Sequence, residues 1–376
     1  MLTDVAIQPQ KPNVGRMDPM TSAQQQTLIW TGTYTADGGG QADGIGAIAA
    51  SNDGTLQWLG TAVNADSPSF VAVHPTLPVV YAVAEQRQMV RAFRRTGQFG
   101  LEPIGEPQPA GAATCHVAVD PGGRFLMAAC WGDGKVLLYE LDHDGGITGR
   151  FQAASSVDPH HSESHSHTAN ASTNEPRQSR AHASLMLADG RIMTTDLGHD
   201  TLRIWNYVPG QGLTPDHEVV LPEGSGPRHL VQHSSGSVFV VSEYSIEVFV
   251  VAAGEDGRFT LLNAGPATSG GALPDDSAAE ICLGPGGTYA YVGVRGSNLI
   301  SVLHVSPDGT NLSPVKDIAS GGNWPRHHLV LGRWLHVAHE RSGDVATFEL
   351  DPATGLPGPV LRVLKTPSPT ALVPAN

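Results

Sequence analysis

The chain has 376 residues, a formal net charge of −14 and a sequence pI of about 5.6. Its 22 Lys and Arg residues are scattered rather than clustered, which argues against nucleic-acid binding because phosphate neutralisation needs a basic stripe. Hydrophobic residues make up 40% of the chain but form no run of about 18 or more, so no membrane-spanning helix is predicted.

The first 26 residues are polar and lack the apolar segment of a secretory signal, so we predict a disordered tail over 1–26. Three cysteines follow, Cys115, Cys130 and Cys282, each in an apolar stretch and without CxxC spacing. This pattern predicts buried free thiols rather than a disulfide or a metal site. We therefore expect a reducing compartment, the cytoplasm.

A unit of apolar strand, tight turn and second apolar strand recurs six times, at spacings of about 46 to 66 residues. The first strands of the six copies open at 67–75, 114–121, 180–187, 226–233, 278–285 and 324–331. The second strands follow at 79–85, 124–131, 191–196, 238–243, 289–295 and 334–340. Because period-2 alternation dominates and helical periodicity is hard to find, the repeat predicts an all-β propeller.

Leftover strands at both ends indicate how the ring closes. Segments 27–34, 44–50 and 56–60 resemble second, third and fourth strands without a first, and 368–373 resembles 67–72. A seventh blade shared by both ends leaves no open sheet edge. We therefore predict one domain over 27–376, a propeller of seven four-stranded antiparallel blades. The His- and Ser-rich tract 155–178 is predicted to be a surface loop without a defined metal site.

In such a blade, the start of the first strand and the end of the second meet at one rim of the central channel. Polar side chains at the strand starts are His116, His182, Arg228, His229, Glu280, Arg326, His327 and His328. Those at the strand ends are Tyr34, Glu85, Trp131, Asp196, Glu243, Arg295 and Glu340. Such a polar funnel favours binding or catalysis. Three structural alternatives stay open: Arg228 and Glu243 as an ion pair between strands, Asp196 and Glu85 as turn acceptors, and His116, His229, His327 and His328 as caps or backbone hydrogen-bonding partners.

Several motifs beside these strands are distinctive: SPSFVAVHP at 67–75, GSGPRHL at 224–230, SAAEI at 277–281, VRG at 294–296, GGNWPR at 321–326 and DPATG at 351–355. Over 27–373 they resemble the seven-bladed lactonase family of propeller-type 6-phosphogluconolactonases and fungal carboxymuconate lactonizing enzymes. The resemblance implies a funnel site for a sugar or muconate lactone that uses His182, Arg228, Glu243 and Arg295. Arg180 and Asn323 depart from the family's usual His and Lys, which implies an altered anion or hydroxyl pocket.

The first functional hypothesis is hydrolysis of a small, anionic or sugar lactone without metal or cofactor. His182 or Glu243 would serve as general base, while Arg228 and Arg295 hold the oxyanion and a distal acid group. Eight other rim residues are predicted to bind substrate: His116, Trp131, Asp196, His229, Glu280, Arg326, Tyr34 and Glu85. The predicted protein is a monomer or weak homodimer.

Three other functions remain open from the sequence. The same residues could close a lactone on a muconate-like diacid. The chain could also be a non-catalytic propeller that binds a small molecule. A metal- or quinone-dependent propeller enzyme would instead recruit ligands such as Glu85, Asp196 and Glu280.

Overall fold

The computed structural model describes residues 26–161 and 177–375. Strands β1 to β7 span Thr27–Thr33, Gly44–Ala50, Leu56–Asn64, Val71–Val73, Val79–Ala84, Met89–Thr96 and Gly100–Pro109. Strands β8 to β15 span Thr114–Val119, Phe125–Cys130, Val136–Leu141, Ile147–Gln152, Ala181–Met186, Ile192–Asp196, Thr201–Val208 and Gly212–Val220. Strands β16 to β23 span Pro227–Gln232, Val238–Ser242, Glu247–Ala253, Phe259–Pro266, Ser277–Leu283, Tyr289–Arg295, Leu299–Val305 and Leu312–Ala319. Strands β24 to β28 span Pro325–Leu331, Trp334–His339, Asp344–Leu350, Pro357–Lys365 and Pro369–Pro374.

These strands form seven four-stranded antiparallel sheets. Blades 1 to 6 each use four consecutive strands, from β4–β7 to β24–β27, and blade 7 joins β28 to β1–β3. The first strands of successive blades contact one another in order, and β28 contacts β4. Short 3₁₀ turns lie at Ala36–Gly38 and Pro285–Gly287. The predicted all-β, seven-bladed propeller is confirmed.

The two ends of the propeller are joined in blade 7, as predicted. Strand β28 pairs antiparallel with β1, with Trp30 opposite Val373. Backbone hydrogen bonds extend the pairing at both ends, because Tyr34 donates to Ser368 (3.1 Å) and Ala375 donates to Leu28 (2.7 Å). The first strand of the described chain is therefore held by the last.

The apolar side chains pack between blades rather than around one centre. Seven buried clusters are present among the described residues, and each contains side chains from two adjacent blades. Period-2 alternation explains this arrangement, because alternate residues of one strand face the neighbouring blades on its two sides. Each blade thus depends on both neighbours for burial of its apolar surface.

Two predicted segments fall largely outside the described residues: the tail at 1–26, of which only Gln26 is described, and the central part of the 155–178 loop, 162–176. The two ends of the loop are held together, since Arg177 pairs with Asp158 (2.6 Å) and with Asp200 (2.5 Å). All three cysteines are free thiols. Within 26–161 and 177–375, no helix has both the length and the apolarity to cross a bilayer.

Removal of β28 is expected to prevent folding. Truncation after Thr366 deletes the buried Ala371 and Leu372, and it exposes the edge of β1 to pairing with other chains. Expression yield, circular dichroism and gel filtration of the truncated chain measure this effect, with truncation after Pro374 as the control. A monomer with an unchanged Tm would contradict closure of the ring by β28.

Candidate active site at the channel mouth

A repeated backbone irregularity shapes the channel mouth. Six of the seven blades show a register shift between their first strand and its neighbour at the same repeat position. Such a β-bulge adds an unpaired residue and re-aims side chains. Consecutive residues therefore line the same central cavity, namely Arg228 with His229 and Arg326 with His327. A regular strand would point them to opposite faces.

A second irregularity precedes these strands. At one repeat position, five of the seven blades place a residue with positive φ: Ser67 (31°), Ala113 (47°), Gly226 (66°), Trp324 (72°) and Ser368 (39°). For the four that are not glycine this conformation costs about 1–3 kcal/mol each, and such strain concentrates at functional sites. The strained residues surround the same rim as the polar side chains.

The central cavity is small, about 10 Å³, which is the space of roughly one water molecule. It is lined by Ser69, Phe70, Cys115, His182, Arg228, His229, Arg326, His327 and Thr370. Two of these residues carry buried side-chain nitrogens without a hydrogen-bond partner in the described part of the chain: Nε and Nη1 of Arg228, and Nδ1 of His182. Because unpaired buried polar atoms are costly, these nitrogens mark a place where an ordered water or a single polar atom of a ligand would be stabilised.

The first charged group at the rim is the Arg228–Glu243–Arg295 group. Glu243 bridges two guanidinium groups, with Oε2 2.7 Å from Nε of Arg228 and Oε1 3.0 Å from Nη2 of Arg295. Burial by itself would raise the pKa of Glu243, but Arg228 and Arg295 hold it below its usual value. Burial and the Arg228 charge lower the pKa of Arg295 to about 9. At neutral pH the group therefore contains one carboxylate and two cations.

The second charged group, the Tyr34–Glu85–Arg326–Glu340 group, draws on blades 7, 1 and 6. The guanidinium of Arg326 donates to the Tyr34 hydroxyl (2.8 Å) and pairs with Glu340 (2.9 Å). The Tyr34 hydroxyl donates to Glu85 at 3.1 Å, and the hydroxyl of Ser69 donates to the same carboxylate. Burial opposes the Arg326 charge, yet Tyr34 and Glu340 raise the pKa of Arg326 above its usual value. This group therefore forms a continuous hydrogen-bonded wall from blade 1 through blade 7 to blade 6.

The floor of the cavity consists of histidines around Phe70. The ring of His116 lies 4.4 Å from that of Phe70, and Nδ1 of His229 lies 2.7 Å from Glu280. Glu280 also faces Nε2 of His327 at 3.3 Å. Burial, above all, lowers the pKa of these histidines, to about 4 for His327. The floor of the cavity therefore consists of neutral imidazole side chains around the carboxylate of Glu280.

His182 stands beside this floor, with its ring 5.2 Å from that of His229. Burial lowers the pKa of His182 well below its usual value, and the nearby Arg228 charge lowers it further. The imidazole is therefore neutral at pH 7 and can accept a proton. It lines the same cavity as the unpaired Nη1 of Arg228.

Ten of the twelve predicted site residues belong to this connected set: Tyr34, Glu85, His116, His182, Arg228, His229, Glu243, Glu280, Arg295 and Arg326. Arg228 and Glu243 do form the ion pair considered as a structural alternative, and Arg295 shares it. His328 bonds the backbone oxygen of Tyr291 outside the cavity.

In the described part of the chain, Trp131 and Asp196 form no hydrogen bond, ion pair or ring contact with this set. Trp131 lies under the guanidinium of Arg180, 3.8 Å from its ring centre. Asp196 pairs with Ala181 and accepts the hydroxyl of Ser179 (2.5 Å) and the backbone N–H of Arg180. In blade 3, Asp196 thus accepts hydrogen bonds in a turn, which is the structural alternative considered above. It lies one residue before the repeat position that Glu243 occupies in blade 4.

The sequence analysis did not assign Ser69, Phe70, Cys115 and Thr370 to the cavity. A signal for them existed, because they align in the repeat with Arg228, His229 and Arg326. Within the described residues, no group of three or more His, Cys, Asp or Glu side chains is arranged to hold a metal ion.

Comparison with known proteins agrees with this architecture. Among curated proteins, the chain is similar to the 6-phosphogluconolactonase of Bacillus subtilis (strain 168), with 25% identity over 344 residues, covering 87% of this chain and 92% of the relative. It is also similar to the 6-phosphogluconolactonase of Serratia proteamaculans (strain 568), with 25% identity over 317 residues, covering 81% and 87% of the two chains.

Among solved structures, the fold is similar to that of a Lactobacillus plantarum protein, with a TM-score of 0.82, 21% identity and coverage of 94% of this chain and 100% of that one. It is also similar to the Pseudomonas aeruginosa periplasmic gluconolactonase PpgL, with a TM-score of 0.80, 22% identity and coverage of 94% and 99%. The sequence model described as "Lactonase, 7-bladed beta-propeller" matches residues 28–374. The chain therefore belongs to the seven-bladed β-propeller lactonase family.

Proposed function

We propose that this protein hydrolyses a small lactone at the channel mouth. The observation that carries the proposal is that one cavity is lined both by Arg228, which has a buried guanidinium nitrogen without a hydrogen-bond partner, and by the neutral imidazole of His182. Lactone opening needs these two elements, a fixed donor for the oxyanion and a base for water. The names of the two bacterial relatives, 6-phosphogluconolactonase, support the same reaction class.

Arg228 is the proposed oxyanion donor. Its Nη1 is buried and has no hydrogen-bond partner in the described residues, while its Nε forms an ion pair with Glu243 at 2.7 Å without hydrogen-bond geometry. A donor fixed in this way stabilises charge that develops on the carbonyl oxygen without reorganisation, an effect worth about 10²–10³ in kcat per donor. Arg295 shares Glu243 and keeps that carboxylate in place.

His182 is the proposed general base, and Glu243 the residue that positions the arginines. Both oxygens of Glu243 are engaged with guanidinium groups, so neither is available to take a proton from water. The His182 imidazole takes a proton from water as the water oxygen attacks the lactone carbonyl carbon. The ring C–O bond then breaks, and the imidazolium returns the proton to the leaving alkoxide. The product is a hydroxy acid, which ionises and releases one proton at neutral pH.

The direct test is a pH-stat assay of purified protein against sugar lactones, with and without a phosphate, and against muconate-type diacids. Acid release from a lactone above its spontaneous rate is the expected result. Proton uptake with a diacid, and none released from any lactone, would instead assign a lactonizing cycloisomerase. No turnover with either class would contradict catalysis and leave a small-molecule-binding propeller. The free thiols fit our placement of the activity in the cytoplasm.

His182→Asn is expected to lower kcat by about 10²-fold or more, since asparagine cannot take up the proton. In the wild type, the acid limb of the kcat/KM profile is expected below pH 6.5, because the lowered pKa keeps His182 unprotonated into the acid range. The matched control is His336→Asn, a buried histidine that bonds Thr347 away from the cavity. Unchanged turnover in His182→Asn would remove His182 from the mechanism.

A further inference from the structure

An aromatic surface borders the channel mouth in blades 2, 3 and 4, outside the two charged groups. It consists of Trp131, Arg180 and Tyr244, and we call it the rim ledge. Both rings are solvent-exposed for their size, Trp131 by 37% and Tyr244 by 52%. Exposed aromatic rings beside a polar site are typical of binding surfaces, because a ligand that covers them removes a large apolar area from water.

The strand repeat places Trp131 at the same rim as the candidate active site. The N–H of Trp131 donates to the carbonyl of Ala113 (2.9 Å), and the N–H of Glu243 donates to the carbonyl of Gly226 (2.7 Å). Ala113 and Gly226 are equivalent in the repeat, and both have positive φ. Trp131 therefore occupies in blade 2 the position that Glu243 occupies in blade 4.

Arg180 joins the two rings of the ledge. Its guanidinium carbon lies 3.8 Å from the ring centre of Trp131. Burial and the Glu243 charge raise the pKa of Tyr244, and the Arg180 charge opposes this rise, an effect that a charge exerts only from close by. In the chain, Tyr244 directly follows Glu243, and Arg180 lies two residues before His182. The ledge thus continues outward from the candidate active site.

The backbone holds both rings in place. Tyr244 packs on Gly226, since a Cβ atom added to Gly226 would lie 2.6 Å from Cδ2 of Tyr244. Beside Trp131, the side chain of Gln178 donates to the carbonyl of Gly132 (2.5 Å), which ties the segment before β12 to the turn after Trp131. Rings fixed in this way lose little conformational freedom when a ligand covers them.

Polar groups at the ledge are free to bind a ligand. Among the described residues, the side chain of Arg180 forms no ion pair or hydrogen bond, and neither does the hydroxyl of Tyr244. The ledge therefore offers apolar ring faces together with guanidinium donors and a phenol that can donate and accept. A sugar ring matches this combination, because its faces carry C–H groups and its edge carries hydroxyl groups. A phosphate or carboxylate would leave the two ring faces uncovered.

The size of the central cavity places most of a substrate outside it. A volume of about 10 Å³ admits a carbonyl oxygen or one water molecule, but not a ring. A lactone whose carbonyl oxygen meets Arg228 therefore keeps its ring at the channel mouth. A group attached to that ring lies over the rim, where the ledge begins.

We propose that the rim ledge binds a second sugar ring, attached to the lactone. The sugar stacks on the exposed rings of Trp131 and Tyr244, and Arg180 donates to its hydroxyl oxygens. The inference rests on the proposed lactone hydrolysis, and it names the substrate class as glycosylated lactones, the lactones of disaccharide acids. It makes the three ledge residues specificity-determining.

The test measures binding of product-like acids by calorimetry, so it does not depend on turnover. Gluconate has no second ring, whereas cellobionate and maltobionate carry a glucosyl ring in β and α linkage. The fourth probe, 6-phosphogluconate, adds charge without a ring. We expect one or both disaccharide acids to bind at least about 10-fold tighter than gluconate, and the tighter of the two identifies the linkage.

Trp131→Ala and Tyr244→Ala each remove one exposed ring, and each should reduce this preference to about 2-fold or less. Arg180→Gln should weaken binding of the disaccharide acid by about 5-fold relative to gluconate. Arg333→Gln is the matched control, because Arg333 also stacks on a tryptophan, Trp334 at 4.8 Å, but lines a different depression. It should keep the preference.

Equal binding of gluconate and both disaccharide acids, no binding of any acid, or a preference that survives both alanine variants would overturn the ledge subsite. So would tighter binding of 6-phosphogluconate alone that is lost in Arg180→Gln, which would assign the ledge to an anion. Lactone hydrolysis with any of these results would leave the proposed function standing. The disaccharide preference without hydrolysis of any lactone would overturn the proposed function and leave the subsite standing.

Discussion

Glu243→Gln is expected to lower kcat/KM for lactone hydrolysis by about 10²-fold or more and the free energy of unfolding by about 3–5 kcal/mol. The change leaves the buried guanidinium groups of Arg228 and Arg295 without their shared carboxylate. Those two cations then repel each other in a site from which water is largely excluded. Steady-state kinetics and urea denaturation measure the two effects on the same preparation.

Glu218→Gln is the matched control for this prediction. Glu218 also pairs with a buried arginine, Arg203 (2.8 Å), but its side chain is 41% exposed and lies outside the site. Loss of this exposed carboxylate should cost about 1 kcal/mol or less and leave kcat/KM unchanged. If Glu243→Gln behaved like Glu218→Gln in both assays, the bridging role of Glu243 would be wrong.

Acidification from pH 7 to pH 5 is expected to destabilise the fold strongly. Burial lowers the pKa of several histidines in the folded state, to about 4 for His327 and His336. Above pH 6.5 these groups are neutral in both states, so their contribution to stability is fully present. Below pH 6.5 the unfolded chain takes up protons that the folded chain does not, and the contribution is lost as the pH falls toward about 4. The free energy of unfolding should fall by about 1.4 kcal/mol per pH unit for each such histidine.

Urea denaturation at a series of pH values measures this slope. His336→Asn should reduce the slope by about one proton, because His336 is buried in blade 6 and is not part of the candidate site. The variant also lowers the free energy of unfolding at every pH. The titration of His336 is therefore measured by the change in the slope of that free energy against pH. A free energy of unfolding that stays constant between pH 7 and pH 5 would contradict neutral buried histidines.

The sequence repeat predicted the propeller because each copy contains the same succession of apolar strand, tight turn and apolar strand. The alignment of 67–75 with 226–233 set the blade period, and the likeness of 368–373 to 67–72 placed the closing strand beside β1. Strands such as Val79–Ala84 and Phe125–Cys130 are apolar and buried along their whole length, so both of their faces must be covered, and a ring of blades covers both faces in every copy. Strand pairing within the described blades follows this pattern.

The site was predictable in composition but less so in detail. The positions at strand starts and strand ends predicted that Arg228, Glu243 and Arg295 lie at one rim, where the structure joins them. It also included Asp196, although Asp196 lies one residue short of that position, because the end of a strand is not marked in sequence to within a residue. The bulges in the inner strands left no sequence signal, so the joint exposure of Arg228 and His229 to one cavity appears only in three dimensions.

The most direct measurement of the central claim is a crystal structure with a sugar acid, the product of lactone opening, soaked or grown into the protein. The account predicts the product carboxylate within hydrogen-bonding distance of Nη1 of Arg228, with His182 beside it. A product bound elsewhere on the propeller, with Arg228 and His182 contacted only by water, would contradict the account.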